Sequence, residues 1–381
     1  MMARYLFGDV VREVKTKIDR SNNPYEFYIA GEHMDSEDIH LHRRGTFKGS
    51  DVGPAFIRLF KPGQILYGSR RTYLKKVAVA DFEGITSNTT FVLEVKDENK
   101  LCQELLPFLM LSDGFTEYSI KKSKGSTNPY ILFSDLAKYE FNLPKIEKQR
   151  DLVKFLLAID ETKVAYKKLI LATDELVKSQ FIEMFYGKGY PVKTIGDVID
   201  KKISRVGKVY EKTDSIQYLD ISSIDNASKT VTGLTPYILL DAPSRAQYVL
   251  KQDDIVYSTV RPNLQNIAIN PYFDENVVGS TGFCVLRCIG VTTGYMWGVM
   301  NSAPFTEAMV NQASGANYPA VNDKVVHAYE IPIPPESEQN AYEDLIKQSD
   351  KSKFALQEAI KDLDALSKKI IAENLIPAGK E

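Results

Sequence analysis

The sequence predicts an α+β fold in which one globular domain occurs twice, the two copies being joined by two long antiparallel helices. Three observations predict this fold. Local motifs recur at a nearly constant spacing, each copy contains short apolar runs typical of strands, and the stretch 146–185 contains neither Pro nor Gly. Alternating strands followed by a separate helical part indicate the α+β class.

The repeat keeps its order along both halves of the chain. Most matched positions are 190 residues apart, since 315 − 125 and 334 − 144 give the same value. A constant offset over half the chain indicates duplication of a whole domain, because each copy is too large to be a solenoid unit. The matched positions include Ile65 with Ile255, Arg71 with Arg261, Gly125 with Gly315, Pro144 with Pro334 and Gln149 with Gln339.

The first part of each copy has β-branched and aromatic runs separated by Pro-Gly and Gly-containing breaks, a pattern that predicts strands. A helix is expected from Leu101 to about Ser112, followed by a turn at Asp113-Gly114. Its counterpart is expected near 293–313. The predicted strands are 55–60, 64–68, 74–80 and 89–95 in the first copy, and 216–221, 255–259, 265–270 and 282–288 in the second.

The second part of each copy is a long helix. Apolar residues spaced three and four apart begin at Leu152, and Leu169, Leu176 and Phe181 form a neighbouring stripe of the same helix. A similar pattern runs from Leu345 to Ile370 and closes at Pro377. At 1.5 Å per residue the first helix is ~60 Å long. A helix of that length with apolar residues along one side requires another apolar surface to pack against, and the other long helix can provide it. The alternative is that each helix packs only on its own domain.

Composition sets the broad class of the protein. The chain has 381 residues, enough for two or three domains, with 44% hydrophobic and 26% charged residues. Its net charge of −2 does not favour a nucleic-acid binder, although a basic patch on one face is compatible with that sum. Three cysteines without zinc-ligand spacing, no signal-peptide pattern and no membrane-span pattern predict a reduced, cytoplasmic protein. Cys284 and Cys288 lie in an apolar run, which predicts buried thiols.

Two segments of the first copy are candidates for contacting DNA. The first, which we call the arginine turn, is Arg70–Lys76 between two predicted strands. The second, the glycine loop, is Lys121–Asn128. Arg reads guanine edges, Lys and Tyr reach phosphates or bases, and Gly permits close backbone approach. The candidate residues are Arg70, Arg71, Tyr73, Lys75, Lys76, Lys121, Lys122, Lys124, Ser126 and Asn128.

The second copy has an arginine turn at Arg261–Asn266 and a glycine loop at Asn311–Tyr318. These segments carry less charge, and Asn and Gln are side chains that read adenine. Different side chains on similar scaffolds are expected of two domains that read different sequences. For any single residue, a solvated loop position is the competing interpretation. The candidate residues are Arg261, Asn263, Gln265, Asn266, Asn317 and Tyr318.

Fragments of the chain imitate three kinds of enzyme motif. Asp81 with Glu94 and Lys96 is similar to a nuclease metal site, but the second copy does not repeat it. Phe185–Gly189 is similar to a methyltransferase cofactor loop but follows a helix, so Gly187 is better explained as a helix C-cap. Asn128-Pro129-Tyr130 and Asn270-Pro271-Tyr272-Phe273 lack the second proline of the adenine-methylation motif.

His40 and His42 bind metal only if the fold supplies further ligands. We therefore expect neither a catalytic residue nor a metal site.

Taken together, the repeat, the two variable α+β domains and the helix starts resemble the specificity (S) subunits of Type I restriction–modification systems. The helix starts are Leu143–Gln149 and Ile333–Gln339, each containing a proline and a final glutamine. Lys148 stands where the second copy has Glu338, so the first start departs from the family pattern.

The resemblance implies two target recognition domains, 1–144 and 190–333, and two long helices within 145–189 and 334–381. Each domain would read one half of a split double-stranded DNA target, with the helices setting the spacer. The implied partners are two methyltransferase subunits and restriction/motor subunits. S-adenosylmethionine, ATP and Mg would belong to those partners, and the chain itself would hold no cofactor. A metal-dependent nuclease and a scaffold that binds only protein are the competing hypotheses.

Overall fold

A computed structural model describes residues 2–19, 22–226, 228–273, 276–315 and 317–377. The chain divides into two compact units. Unit 1 consists of residues 1–166 and 357–381, and unit 2 of residues 167–356. Both units combine sheets with helices, so the α+β class is confirmed. The domain boundaries given above stay a prediction.

The described residues of unit 1 form three sheets, and the main core lies between the second of them and the short helices. In sheet order, the strands are Ala3–Leu6, Glu140–Leu143 and Ile376–Pro377 in the first; Val11–Val14, Thr90–Val95, Ile65–Gly68 and Val77–Val79 in the second; and Gly45–Thr46, Phe27–Ile29, Gly84–Ser87 and Phe56–Phe60 in the third. The helices outside the long ones are Phe7–Val10, Leu106–Leu111, Asp113–Lys122 and Phe133–Leu136.

Unit 2 repeats this plan. Its four-stranded sheet pairs the second and third strands in parallel, as the third sheet of unit 1 does. The described residues of unit 2 form four sheets. In sheet order, the strands are Val192–Thr194 and Glu330–Pro332 in the first; Thr235–Ile238, Ser215–Leu219, Val277–Ser280 and Ala246–Val249 in the second; Ile267–Ile269, Ile255–Ser258 and Phe283–Leu286 in the third; and Ile224–Asp225 and Thr230–Val231 in the fourth. The helices outside the long ones are Thr293–Asn301, Ala303–Gln312 and Asp323–His327.

The two long helices are Ile146–Phe185 and Glu336–Asn374. In unit 1, Leu156 of the first helix and Ile371 of the second belong to one buried cluster. Lys163 and Asp364 form an ion pair of 2.5 Å in the same unit. In each unit, an early part of one helix therefore lies beside a late part of the other.

Unit 2 shows the same arrangement with different residues. The rings of Phe181 and Tyr342 are 5.1 Å apart, and Lys353 pairs with Asp174 at 2.7 Å. The predicted antiparallel helix pair is thus confirmed, and the alternative in which each helix packs only on its own domain is wrong. The second helix ends at Asn374, slightly before the expected Pro377.

Each long helix has a buried glutamine in its first turn. The Gln149 side chain accepts a hydrogen bond from the Cys102 amide at 3.1 Å and donates to the Lys100 and Pro144 carbonyls at 2.8 and 2.9 Å. Gln339 accepts from the Thr292 amide and donates to the Pro334 carbonyl, both at 2.9 Å. The glutamine is conspicuous in the sequence pattern because it ties the helix start to the globular part.

The predicted turn at Asp113-Gly114 is wrong. The helix Leu106–Leu111 begins later than the expected Leu101 but ends close to the expected Ser112. The Ser112 hydroxyl then accepts from the Phe115 amide at 3.3 Å and caps a new helix in place of the turn. Asp113 lies in the first turn of that helix, where its charge is favourable. Ser302 makes the matching cap to Phe305, also at 3.3 Å, so the expected 293–313 helix is likewise split.

Candidate nucleic-acid interface

In unit 1 the arginine turn and the glycine loop form one surface. The Arg71 amide donates to the Pro129 carbonyl at 2.7 Å, and the Ile131 amide donates to the Ser69 carbonyl at 2.9 Å. Tyr130 also forms isolated antiparallel β-bridges, which are backbone pairings, with Arg70 and Lys124. Two segments that are fifty residues apart in sequence are therefore held together by backbone hydrogen bonds.

The arginine turn has an unusual backbone. A short 3₁₀ helix, Thr72–Leu74, lies between Arg71 and Lys75, whose φ angles are 51° and 46°. Non-glycine residues rarely adopt this left-handed conformation, so the surrounding contacts must enforce it. The turn exposes Arg70, Arg71 and Tyr73.

Unit 2 reproduces both features at the same offset of 190. The Arg261 amide donates to the Pro319 carbonyl at 2.7 Å, and the Val321 amide donates to the Thr259 carbonyl at 3.0 Å. Arg261 and Gln265 have φ angles of 52° and 49° and enclose the 3₁₀ helix Pro262–Leu264. The duplication therefore preserves these backbone contacts and φ angles while the side chains differ.

In each unit the glycine loop orients one exposed guanidinium. Arg71 Nε donates to Asn128 Oδ1 at 3.2 Å. Arg261 donates to the Asn317 carbonyl at 3.4 Å, and its guanidinium carbon lies 4.6 Å from the centre of the Tyr318 ring. Both arginines are exposed but partly ordered, which lowers the entropic cost of a further bidentate contact.

Several candidate side chains are engaged inside the protein. Lys75, only 17% exposed, pairs with Glu37 at 2.7 Å and Asp113 at 3.4 Å. Burial alone would lower the pKa of Lys75, but these two carboxylates raise it. Lys76 donates to the Gly31 carbonyl, and Lys124 pairs with Asp135 at 3.1 Å.

In unit 2, Gln265 donates to Thr306 Oγ1 at 2.6 Å and accepts from Lys229 at 3.1 Å. For this group of side chains, contact with DNA stays a prediction, and it would require breaking these interactions.

The remaining candidates lie on or beside the surface. Lys121 and Lys122 are exposed at the end of their helix, and Asn263 is exposed in the second arginine turn. Ser126, Asn317 and Tyr318 are also exposed, whereas Asn128 and Asn266 are half-buried.

Sequence reasoning missed two neighbours of the second arginine turn, Arg245 and Thr281. Both are exposed, and the Thr281 amide donates to the Arg245 carbonyl at 2.8 Å. The adjacent Gly282 carbonyl accepts from the Thr259 amide at 3.2 Å. No local signal marks Arg245, because the offset of 190 places it opposite Ala55.

Two of the nuclease-like residues, Glu94 and Lys96, have structural partners. Glu94 accepts hydrogen bonds from Arg12 at 2.6 Å and Gln64 at 2.8 Å. Although burial opposes it, these contacts lower the pKa of Glu94. Lys96 donates to the Gly8 carbonyl. Among the described residues, no group of three or more His, Cys, Asp or Glu side chains is arranged to hold a metal ion.

The other enzyme-like fragments are also explained by local structure. Asn270 is fully buried and donates to the Lys251 carbonyl at 2.9 Å. Gly187 has a φ of 72° just past the end of the first long helix, as expected of a C-cap. His40 contacts Asp160 at 2.5 Å, and His42 contacts Asp38 at 3.2 Å.

The predicted buried thiol is confirmed for Cys284, while Cys288 is half-buried. Cys102 is also buried. Burial raises the pKa of Cys284, and it raises that of Cys288 to about 12. Across the described residues, no helix combines the length and apolar character needed to cross a membrane.

The geometry defines a class of protein with a duplicated α+β unit, each unit presenting a paired polar turn and loop and contributing to a helix pair. A family model described as the Type I restriction modification DNA specificity domain matches residues 12–173 and 187–363. These two matches cover most of the chain, so the chain belongs to this family.

Two curated relatives are specificity subunits. The chain is 24% identical over 326 residues to the Type I restriction enzyme MjaVIII specificity subunit of Methanocaldococcus jannaschii, which covers 78% of this chain and 74% of the relative. It is 22% identical over 205 residues to the HindI specificity subunit of Haemophilus influenzae, covering 52% and 44% respectively. The chain thus spans less than half the length of the HindI subunit.

One solved structure shows the same fold along the whole chain. It is a chain from a type I R-M system whose complex assembly and conformational transition have been described. The TM-score is 0.60 with 19% identity, over 98% of this chain and 97% of that chain.

Proposed function

We propose that this chain is the DNA-recognition subunit of a Type I restriction–modification complex. Each unit reads one half of a bipartite double-stranded target through its arginine turn and glycine loop. The observation that carries the proposal is the duplicated surface, in which one backbone at a constant offset presents Arg, Lys and Tyr in unit 1 and Arg, Asn and Tyr in unit 2. Arg and Asn are the residues that read guanine and adenine edges in the major groove.

In this proposal the helix pair sets the spacer and docks two methyltransferase subunits. Those subunits bring S-adenosylmethionine, and restriction/motor subunits bring ATP and Mg. Docking is supported by large apolar side chains that the long helices leave exposed, since exposed apolar residues on a helix face are typical of protein interfaces. Leu169 and Leu176, which the sequence pattern assigned to a packed stripe, are among them. These side chains are Phe155, Leu169, Leu171, Leu176, Phe354 and Leu366.

Mapping methylated adenines tests the proposal. The chain is expressed with its cognate methyltransferase subunit in a host free of adenine methylation, and the DNA is read by single-molecule sequencing. We expect one split motif, two short half-sites around a fixed gap, that disappears when this chain is omitted. Methylation that does not depend on the chain would refute the proposal, and metal-dependent cleavage by the purified chain would favour the nuclease hypothesis.

Matched deletions test the spacer function. Removing 167–170 from the first helix and its repeat counterpart 357–360 from the second shortens each by about 6 Å. We expect the gap between half-sites to shorten by one or two base pairs, since B-DNA rises ~3.4 Å per pair. A gap of unchanged length with both half-sites retained would contradict the spacer role.

A further inference from the structure

In each unit, a residue that is not part of the arginine turn contacts the turn and itself has a left-handed backbone conformation. In unit 1 this residue is Glu37, with a φ of 56°, and in unit 2 it is Lys229, with a φ of 55°. The two residues occupy similar places in the repeat, 192 positions apart, yet they carry opposite charges. Left-handed non-glycine residues persist only where the surroundings specify them.

In unit 1, Glu37 joins the turn to a long helix. Its amide donates to the Lys75 carbonyl at 3.2 Å, and its carboxylate pairs with Lys75 at 2.7 Å. The other carboxylate oxygen pairs with Lys368 of the second long helix at 3.4 Å. Next to it, Ser36 Oγ donates to the Leu74 carbonyl at 2.5 Å. One residue thus contacts the left-handed end of the turn and the helix together.

In unit 2, Lys229 contacts the equivalent end of the turn. It donates to Gln265, which occupies the place of Lys75, at 3.1 Å, and also to Asn301. The position equivalent to Lys368 in the repeat is Lys178. Burial and the nearby Lys178 charge lower the pKa of Lys229 to about 8, which places that helix residue within electrostatic reach.

We propose that Glu37 and Lys229 are positioning residues for DNA recognition, each holding the left-handed end of its arginine turn so that the exposed arginine meets its own half-site in one orientation. This inference rests on the proposed function. In unit 1 the support extends to the second long helix through Lys368, so base selection at that half-site depends on the helix. Neither residue needs to touch DNA.

The test measures discrimination by the full complex with its methyltransferase. Methylation rates are compared between the mapped target and targets carrying one base change in either half. Glu37→Gln is expected to reduce discrimination about tenfold at one half-site only, the size of one misplaced bidentate contact. The matched control is Glu32→Gln on the same segment, because Glu32 is exposed and contacts neither Lys75 nor Lys368.

Four further variants locate the effect. Glu37→Lys alone opposes Lys75 and Lys368 and should lose discrimination, whereas combining Glu37→Lys with Lys75→Gln recreates the unit 2 pair and should restore it. Lys368→Gln should reproduce the Glu37→Gln defect. Lys229→Gln should act on the opposite half-site, with Lys251→Gln, an exposed lysine elsewhere in unit 2, as its control.

The outcomes separate the inference from the proposed function. A wild-type complex that methylates no split motif refutes the proposed function and this inference with it. A wild-type complex that does so, while Glu37→Gln matches Glu32→Gln at both halves, refutes only the positioning role. An equal loss at both half-sites also refutes it, because a general folding defect would produce that result. Restoration by the double variant supports it.

Discussion

The two arginine turns have the same backbone but are stabilised by opposite chemistry. In unit 1 the left-handed residue near the end of the turn is Lys75, which is held by the carboxylates of Glu37 and Asp113. In unit 2 the corresponding left-handed residue is Gln265, which is held by Thr306 and the partly buried Lys229. The comparison teaches that the duplication conserves the path of the main chain, whereas the side chains that enforce it are free to diverge. The predictions that follow test how far this equivalence extends.

The largest effect is expected at the helix starts, where the units are most alike. Gln149→Leu leaves the Cys102 amide and the Pro144 carbonyl without their side-chain partner, and Gln339→Leu does the same to Thr292 and Pro334. We expect each change to lower the free energy of unfolding by about 2–3 kcal/mol, the cost of burying unpaired polar groups.

Urea unfolding measures this effect separately in the two units. Trp297, the single tryptophan of the chain, lies in unit 2, so its fluorescence should follow Gln339→Leu. Circular dichroism should follow both variants. If Gln149→Leu shifts the Trp297 transition as much as Gln339→Leu does, the units unfold together and the comparison at this level fails.

A smaller effect is expected at the end of the helix that leads into each glycine loop. Unit 1 has Lys121 and Lys122 there, and unit 2 has Asn311 and Gln312 at the equivalent positions. Replacing both lysines with Gln should reduce the slope of log K against log salt by about 1.8, if each meets one phosphate. The matched control replaces Asn311 and Gln312 with Ala. Equal slopes for the two variants would show that the charge difference has no role in DNA binding.

The smallest effect concerns the pH dependence of unit 2. Burial, with Lys178 nearby, lowers the pKa of Lys229 to about 8, and Asp174 opposes that shift. Between pH 8 and 10.5 the folded state loses this proton while the unfolded state retains it, so stability should rise with pH. The gain should be on the order of 1 kcal/mol after discounting for partial exposure, and Lys229→Met should remove it. A Lys229→Met variant with the wild-type pH profile of thermal unfolding would contradict this assignment.

Much of the fold could be predicted because the signals were periodic or repeated. The bounds of the first long helix, Ile146–Phe185, follow from an uninterrupted run without Pro or Gly. The helix that begins at Asp113 could not be predicted, because its Ser112 cap depends on the backbone around it and leaves little trace in the apolar pattern. Leu169 and Leu176 have helical spacing, but spacing alone does not reveal which face is covered.

The candidate site could be predicted only as separate segments. The offset of 190 identified both turns and both loops, but no sequence signal shows that the Arg71 amide bonds to Pro129. Nor does composition distinguish the exposed Arg70 from Lys75, whose charge is satisfied by Glu37. Such distinctions depend on long-range pairing, which the chain acquires only on folding.

Unit 2 is continuous in sequence, but unit 1 is not. Its core includes Ile371 and Leu375, and Ile376–Pro377 adds a strand beside Glu140–Leu143. During synthesis at about 5–20 residues per second, the ribosome needs roughly 10–40 s to pass from residue 166 to the segment that completes this unit. The later-encoded unit can therefore finish first, while the earlier one waits with its apolar helix surface uncovered. A nascent chain stalled inside the second long helix would be most prone to aggregate through that surface.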